Sequence, residues 1–221
     1  MPGRPPGPSL KGAATRQHII DTAAGIFAVR TYDRARMSEI VAATGMTKGA
    51  VYFHFESKEA LAVAVLESKH EAWITAVDNS IRTIAPGSAR LAALLPAIVD
   101  VHRRDPDTWS VSKLTRNLTE LDSTHRRAAE LTNRWIDLVA TVIREAQQIG
   151  AVSPNVDPAI AATVFVGAFD GVKAIHDTVS VDDDGPFTEA ASFLNEALLH
   201  YIAGPEQCSV DPPASSADVV D

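Results

Sequence analysis

The sequence predicts an all-α protein with a short N-terminal helical module and a larger helical body. Three observations carry that expectation. Apolar residues recur at three- to four-residue spacing from Ile19 onward. No convincing alternating stretch of the kind that marks a half-buried strand is found. The separators between apolar runs, "APGS", "RDP", "GAVSPNVDP" and "SVDDDGP", are built from residues that stop and start helices.

The elements follow in order. Residues 1–13, "MPGRPPGPSLKGA", read as a flexible, weakly basic arm with no apolar run of signal-peptide type. In "ATRQHIIDTAAGIFAVRTY", Ile19, Ala23 and Phe27 recur every four residues, as do Ile20, Ala24 and Ala28, so a first helix should end near Arg30. "RMSEIVAATG" reads as a short second helix with Ile40, Val41 and Ala43 on its apolar side and Gly45 as its left-handed stop. Thr47 should cap a third helix over about residues 48–53. Ser57 should cap a fourth, reaching about residue 84, with Glu59 and Glu67 on its outer face. Five further helical segments follow, at about 86–104, 107–118, 125–150, 157–179 and 186–203. The acidic, Pro/Ser-rich stretch 204–221 reads as a disordered tail. The expected divisions are therefore 1–13, 14–57, 58–203 and 204–221.

Charge is distributed unevenly along this plan. The chain of 221 residues has a formal net charge of -8. Residues 1–58 nevertheless hold eight Lys/Arg against four Asp/Glu, and the rest holds twelve against twenty-four. A basic module joined to an acidic body is a pattern of nucleic-acid binding. The sole cysteine, Cys208, rules out an intrachain disulfide and suits a reducing cytoplasm. The longest apolar run, Ala159–Phe169, is too short to span a bilayer and reads as a buried helix.

The stretch "MTKGAVYFHFESKEAL", Met46–Leu61, carries the chemistry. Two short helices joined by a glycine-containing turn make a helix-turn-helix, whose second helix enters the major groove of double-stranded DNA. Gly49 and Ala50 are small where such a helix presses against DNA. Thr47 and the free N–H groups beside it suit a phosphate. Lys48 is placed to reach a base edge, with guanine the expected partner. Tyr52, one turn on, can meet a phosphate or a thymine methyl, and His54 and Lys58 suit backbone contacts. Val51 and Phe55 belong to the module's own core. Phe53 is either groove-facing or packed.

"MSEIVAATGMTKGAVYFHFESKEALAVAV" strongly resembles the DNA-binding domain of the tetracycline-repressor (TetR) family over about residues 14–66. The resemblance implies three N-terminal DNA-binding helices, a larger helical domain that takes a small ligand, and two final helices that pair in a homodimer. Arg36 stands where the family often has a capping threonine, so the second helix must be capped from elsewhere. "TKGAVYFHFESKEALA" is also similar to the actinobacterial γ-butyrolactone receptors and their relatives that bind furan or butenolide autoregulators. That narrower resemblance makes Trp135 a pocket tryptophan, although Leu131, Thr132 and Asn133 replace aromatic residues often found just before it.

Trp109 and Trp135 lie on candidate pocket helices, where an indole can pack on an acyl chain and donate to a carbonyl. Trp73 reads as packing on the fourth helix. The final two helical segments are apolar nearly all round, which calls for cover on more than one face. Phe165, Phe169, Phe193, Leu194 and Leu198 are the expected dimer contacts. Asp122–His125, "DSTH", has the residue types of a hydrolytic triad but no strand-turn-helix elbow, so no catalytic residue is assigned. With one cysteine and no histidine pair at i, i+4, no metal or other cofactor is expected. The functional expectation is a cytoplasmic transcriptional regulator, a repressor released by a small hydrophobic effector of lactone, furan or butenolide type. A repressor of efflux or catabolic genes sensing another hydrophobe is the alternative on the same fold. An α-helical lactone hydrolase is the disfavoured alternative of another class.

Overall fold

The computed structural model describes residues 10–105, 114, 115, 117, 118, 122–179 and 185–202. Trp109, Cys208 and the acidic loop 181–184 lie outside the described residues, as do the side chains of Asp122 and Ser123 and the tail from 203 onward. The described elements are helices: α1 (Leu10–Val29), α2 (Met37–Thr44), α3 (Lys48–His54), α4 (Lys58–Arg82), α5 (Ser88–Arg104), α6 (Asp122–Gln148), α7 (Pro158–Val179) and α8 (Gly185–Ile202). The all-α expectation is borne out. Helix α1 begins at Leu10, inside the stretch read as a flexible arm.

The local signals that start and stop these helices work as chemistry predicts. Gly45 ends α2 with φ of 67°, in the left-handed region where a Cβ is penalised. The Thr47 hydroxyl accepts from Ala50 N–H at 3.2 Å and the Ser57 hydroxyl from Ala60 N–H at 3.0 Å, capping α3 and α4. An arginine has no acceptor, so Arg36 cannot cap α2 with its side chain. Glu39 supplies what is needed instead, its carboxylate accepting from Arg36 N–H at 3.1 Å while pairing with Arg30 at 2.7 Å. The Arg36 N–H bond is the main cause that holds the Glu39 carboxyl below its usual range.

Apolar burial divides into two clusters. The first gathers Ile19, Ile20, Ala23, Ala24 and Phe27 of α1 with Ile40, Val51 and Phe55. It continues through Leu61–Leu66 of α4 and takes in Leu114, Leu118, Ala128 and Leu131. This core therefore runs across the 57/58 division drawn from sequence. The second cluster fills the body, from Trp73, Val77 and Ile81 of α4 through α5, α6, α7 and α8. Helix α4 contributes to both cores and packs on α1, α5 and α6. Two positions depart from expectation. Ala43 is exposed because the inner face of α2 is centred on Ile40 and Thr44. Glu67 faces α6, where it pairs with Arg127 at 2.5 Å.

The body contains one instructive repair. Pro96 lies inside α5 and has no N–H to give the carbonyl of Ala92. Asn195 of α8 donates its side-chain amide to that carbonyl at 2.9 Å, so the proline's missing bond becomes a tether between helices. Arg90, buried in the α5 start, donates to the Ile84 carbonyl and pairs with Glu145 of α6 at 2.6 Å, locking the α4–α5 turn onto α6. Gly87, with φ of 132°, closes that turn, and a Cβ there would come within 2.6 Å of the Ile149 side chain.

The run Ala159–Phe169 sits within α7, a helix long and apolar enough by length and composition to cross a membrane. Its inner face, formed by Ala162, Phe165, Val166, Phe169 and Lys173, is buried within the protein instead. Helix α7 packs against α6 and α8.

Candidate DNA-binding face and effector core

Helices α1 and α2 position the outer face of α3. The α1 core residues and Ile40 form the floor; Val51 and Phe55, four apart, anchor α3 to it. With those two residues inward, Thr47, Lys48, Gly49, Tyr52 and Phe53 point away from the core and are exposed, while Ala50 and His54 are half-buried. Phe53 is 85% exposed, which resolves it as outward-facing, and its ring meets His54 edge-on at 5.3 Å. Lys48 lies over the Tyr52 ring, 5.5 Å from its centroid, so the cation and the phenol form one surface unit a turn apart. Gly49 has open space around the position a Cβ would take. Nothing among the described residues requires glycine there.

Lys58, expected at the DNA backbone, has partners inside the module. Its ammonium donates to the carbonyls of Tyr32 at 2.9 Å and Ala35 at 3.1 Å, and sits 4.2 Å from the Tyr32 ring centroid. It brackets the α1–α2 connection onto α4 and is committed within the module. Arg16 similarly covers the Phe55 ring at 4.9 Å. Arg34 and Arg36 are exposed on the α2 approach and were not singled out as contacts from sequence. Their isolation among loop residues gave no periodic signal.

The body holds a chain of aromatic rings. Trp135 of α6 meets Trp73 of α4 edge-on at 4.6 Å and Phe165 of α7 at 6.3 Å. Trp73 stacks on His102 of α5 at 5.9 Å, His102 on Phe169 at 6.0 Å, and Phe169 meets Phe187 of α8 at 6.0 Å. His70, one turn before Trp73, lies 5.9 Å from it. Burial pulls the His70 imidazole down to about 4, with Arg134 adding to the effect. Burial and Lys173 pull His102 down to about 3. Both rings are therefore uncharged at neutral pH. Glu67 and Glu71, on either side of His70 along α4, pair with Arg127 and Arg134 of α6. Sequence reasoning missed His70 and His102 and placed Trp73 as packing alone. The His70–Trp73 spacing on one helical face was the available signal.

Two dimer expectations are corrected here. Phe165 and Phe169 are buried in this aromatic chain and are unavailable to a partner. The free face of α7 lies opposite, along Ile160, Val164, Gly167, Gly171 and Ile175. A helix apolar on all sides gives no periodic clue to which stripe is interior. On α8, Phe193 is 74% exposed and Tyr201 is exposed with it, while Leu194 and Leu198 are half-buried against the body core.

A basic helix-turn-helix with a free outward face, set on a helical body that joins it through α4, defines a helix-turn-helix transcriptional regulator. Residues 19–65 match the sequence model of the family described as "Bacterial regulatory proteins, tetR family". The A-factor receptor protein of Streptomyces griseus is 29% identical over 193 residues, 86% of this chain and 66% of that protein. A solved structure described as the "molecular basis for control of antibiotic production by a bacterial hormones" is 30% identical, covers 89% of this chain and 100% of that one, and superposes with a TM-score of 0.72. The TetR regulator tylP from Streptomyces fradiae is 27% identical, with 88% and 89% of the two chains covered and a TM-score of 0.63. The chain belongs to the TetR family of bacterial regulatory proteins. Its expected similarity to the autoregulator receptors of actinobacteria is borne out by the A-factor receptor.

Proposed function

We propose that the protein acts in the cytoplasm as a homodimeric repressor that a small hydrophobic effector releases from a pseudo-palindromic operator. The outward face of α3 is the observation that carries this reading. Lys48 and Tyr52 form one exposed unit, Gly49 keeps the helix surface low for no internal reason, and Phe53 offers an apolar ring. In this reading Lys48 meets a base edge, Gly49 and Ala50 permit close approach, and Phe53 covers a thymine methyl or sugar. Thr47, Tyr52 and His54 meet phosphates, and the committed Lys58 positions the module instead of touching DNA.

The partner subunit covers the exposed stripe of α7 and the Phe193–Tyr201 face of α8, forming a four-helix interface. Gly167 and Gly171 on that stripe allow close approach of a partner helix. Similarity to the A-factor receptor supports a lactone, furan or butenolide as the effector, with Trp135 and Trp109 among its contacts. The body, 58–203, would hold the effector, and 14–57 would hold the DNA. Because the first apolar core includes Leu114, Leu118, Ala128 and Leu131, a change in the body can tilt the DNA-binding helices directly. No chemical transformation is assigned to the effector.

The test is selection of bound sequences from random DNA, followed by release assays with a butyl-substituted γ-butyrolactone, furan and butenolide. The expected result is enrichment of an inverted repeat whose half-sites lie about one helical turn apart, ~34 Å, and release by at least one probe. Enrichment of no inverted repeat would overturn the dimeric reading.

A further inference from the structure

Two polar atoms in the body are sealed from solvent and have no hydrogen-bond partner among the described residues. They are Nε1 of Trp73 and Nδ1 of His70. The two residues, Trp73 and His70, are 6% and 4% exposed. Buried polar atoms are almost always paired, because leaving one unpaired forfeits its bonds to water with nothing in return. Two such atoms on adjacent rings, with centroids 5.9 Å apart, call for an explanation beyond packing. Nearby carboxylates do not supply one, since Glu67 and Glu71 are committed to Arg127 and Arg134. The Trp73 ring also forms part of the wall of an open cleft of about 350 Å³ between α4 and α5, with Ala72, Ala76, Ser80, Val101 and Asp105; His70 does not line it, and the indole Nε1 is sealed from it. That volume is in the range of small-molecule sites.

We propose that Trp73 and His70 are the polar anchor of the effector site, donating from the indole N–H to a carbonyl oxygen and bonding a hydroxyl of the same neutral ligand through the imidazole. This rests on the reading of the body as an effector domain and names the ligand chemistry it accepts. An indole N–H is a donor only, so the ligand must bring an acceptor. An imidazole can give or take a hydrogen bond according to tautomer, which fits a hydroxyl. His70 is uncharged at neutral pH, so neither a carboxylate nor an ammonium gains an ion pair here. Trp135 packs edge-on against Trp73 and supplies an apolar wall, with Phe165 behind it. Polar recognition thus comes from α4, the helix that also carries the core of the DNA-binding module.

The experiment uses the full chain and two probes, a butyl-substituted γ-butyrolactone and butylcyclopentane, which lacks any acceptor. Calorimetry gives the ratio of their affinities for wild type and for Trp73→Phe. The ratio should fall about tenfold in the variant, the size of one good hydrogen bond. An unchanged ratio overturns the anchor while leaving the effector reading intact. Failure of the lactone to bind wild type overturns the anchor, and failure of the furan and butenolide as well overturns the effector reading with it. If Trp73→Phe does not fold, the indole N–H resonance of Trp73 in ¹⁵N-labelled wild type decides: a downfield shift with the lactone alone supports the anchor, and no shift overturns it. His70→Leu should melt at or above the wild-type temperature without ligand, because it removes an unpaired buried group. It should also lose the affinity that a hydroxymethyl substituent adds to the lactone. A lower melting temperature with that added affinity retained would make His70 structural.

Discussion

The outer face of α3 and the aromatic chain of the body are both rich in rings, and they are opposites in every physical respect. On α3, Lys48, Tyr52 and Phe53 are exposed and lie outside both apolar clusters. In the body, Trp73, His102, Trp135, Phe165 and Phe169 are buried against one another and share one packing problem. The first pattern lies on the surface that the proposed function turns toward DNA, and substitutions there should leave folding alone. The second is set first by packing, and substitutions at His102, Phe165 and Phe169 should affect folding first.

The largest expected effect follows from that contrast. Phe165→Ala should cost about 3–5 kcal/mol of stability, as the loss of a buried ring does. Val164→Glu, one position away on the exposed face of α7, should leave the monomer's far-ultraviolet circular dichroism intact and abolish dimer mass in light scattering. If Phe165→Ala melts like wild type, the assignment of inner and outer stripes on α7 is reversed. Lys48→Ala comes next. A specific base contact is worth ~1–3 kcal/mol, so operator affinity should fall about 5- to 150-fold per half-site with an unchanged melting temperature. Unaltered binding in a gel shift would take Lys48 out of base reading.

Smaller effects sharpen the body's side of the comparison. Asn195→Leu should cost roughly 1–3 kcal/mol by leaving the Ala92 carbonyl unpaired. Pro96→Ala restores an N–H within α5, so the double variant should recover much of that loss, a non-additivity read from denaturant melts. Simple additivity would mean that the Asn195 amide is not compensating for the proline. Acid should weaken the fold through the two buried histidines. Each binds its proton less well when folded, so the unfolded state takes up more protons as pH falls from about 6.5. The contribution is lost progressively down to about 4 for His70 and about 3 for His102. His102→Phe should flatten the pH dependence of the melting temperature over that window.

The same contrast explains what was legible beforehand. The helix-turn-helix was readable because its signals are local and directional: Gly45 to stop α2, Thr47 and Ser57 to start the next helices, and Val51 and Phe55 to fix which way α3 faces. The internal partners of Lys58 could not be read beforehand, because the Tyr32 and Ala35 carbonyls lie 26 and 23 residues away in the chain. In the body, α7 is apolar nearly all round, so Phe165 and Val164 could not be told apart by period. The unpaired Trp73 and His70 atoms arise from tertiary packing, which a single sequence does not display. Glu39 took over the cap that Arg36 cannot provide, a substitution visible only once Arg36 N–H has a position.

Gly49 tests the central claim most directly, because it separates the two kinds of cause within one methyl group. A Cβ at Gly49 meets nothing within 4 Å among the described residues. Alanine is also the better helix former, by roughly 0.5–1 kcal/mol. Gly49→Ala should therefore raise the melting temperature slightly while lowering affinity for the selected operator, because the added methyl lies on the surface that presses into the groove. A melting temperature at or above wild type together with undiminished operator affinity would contradict the account, since the outer face of α3 would then not be the surface that meets DNA.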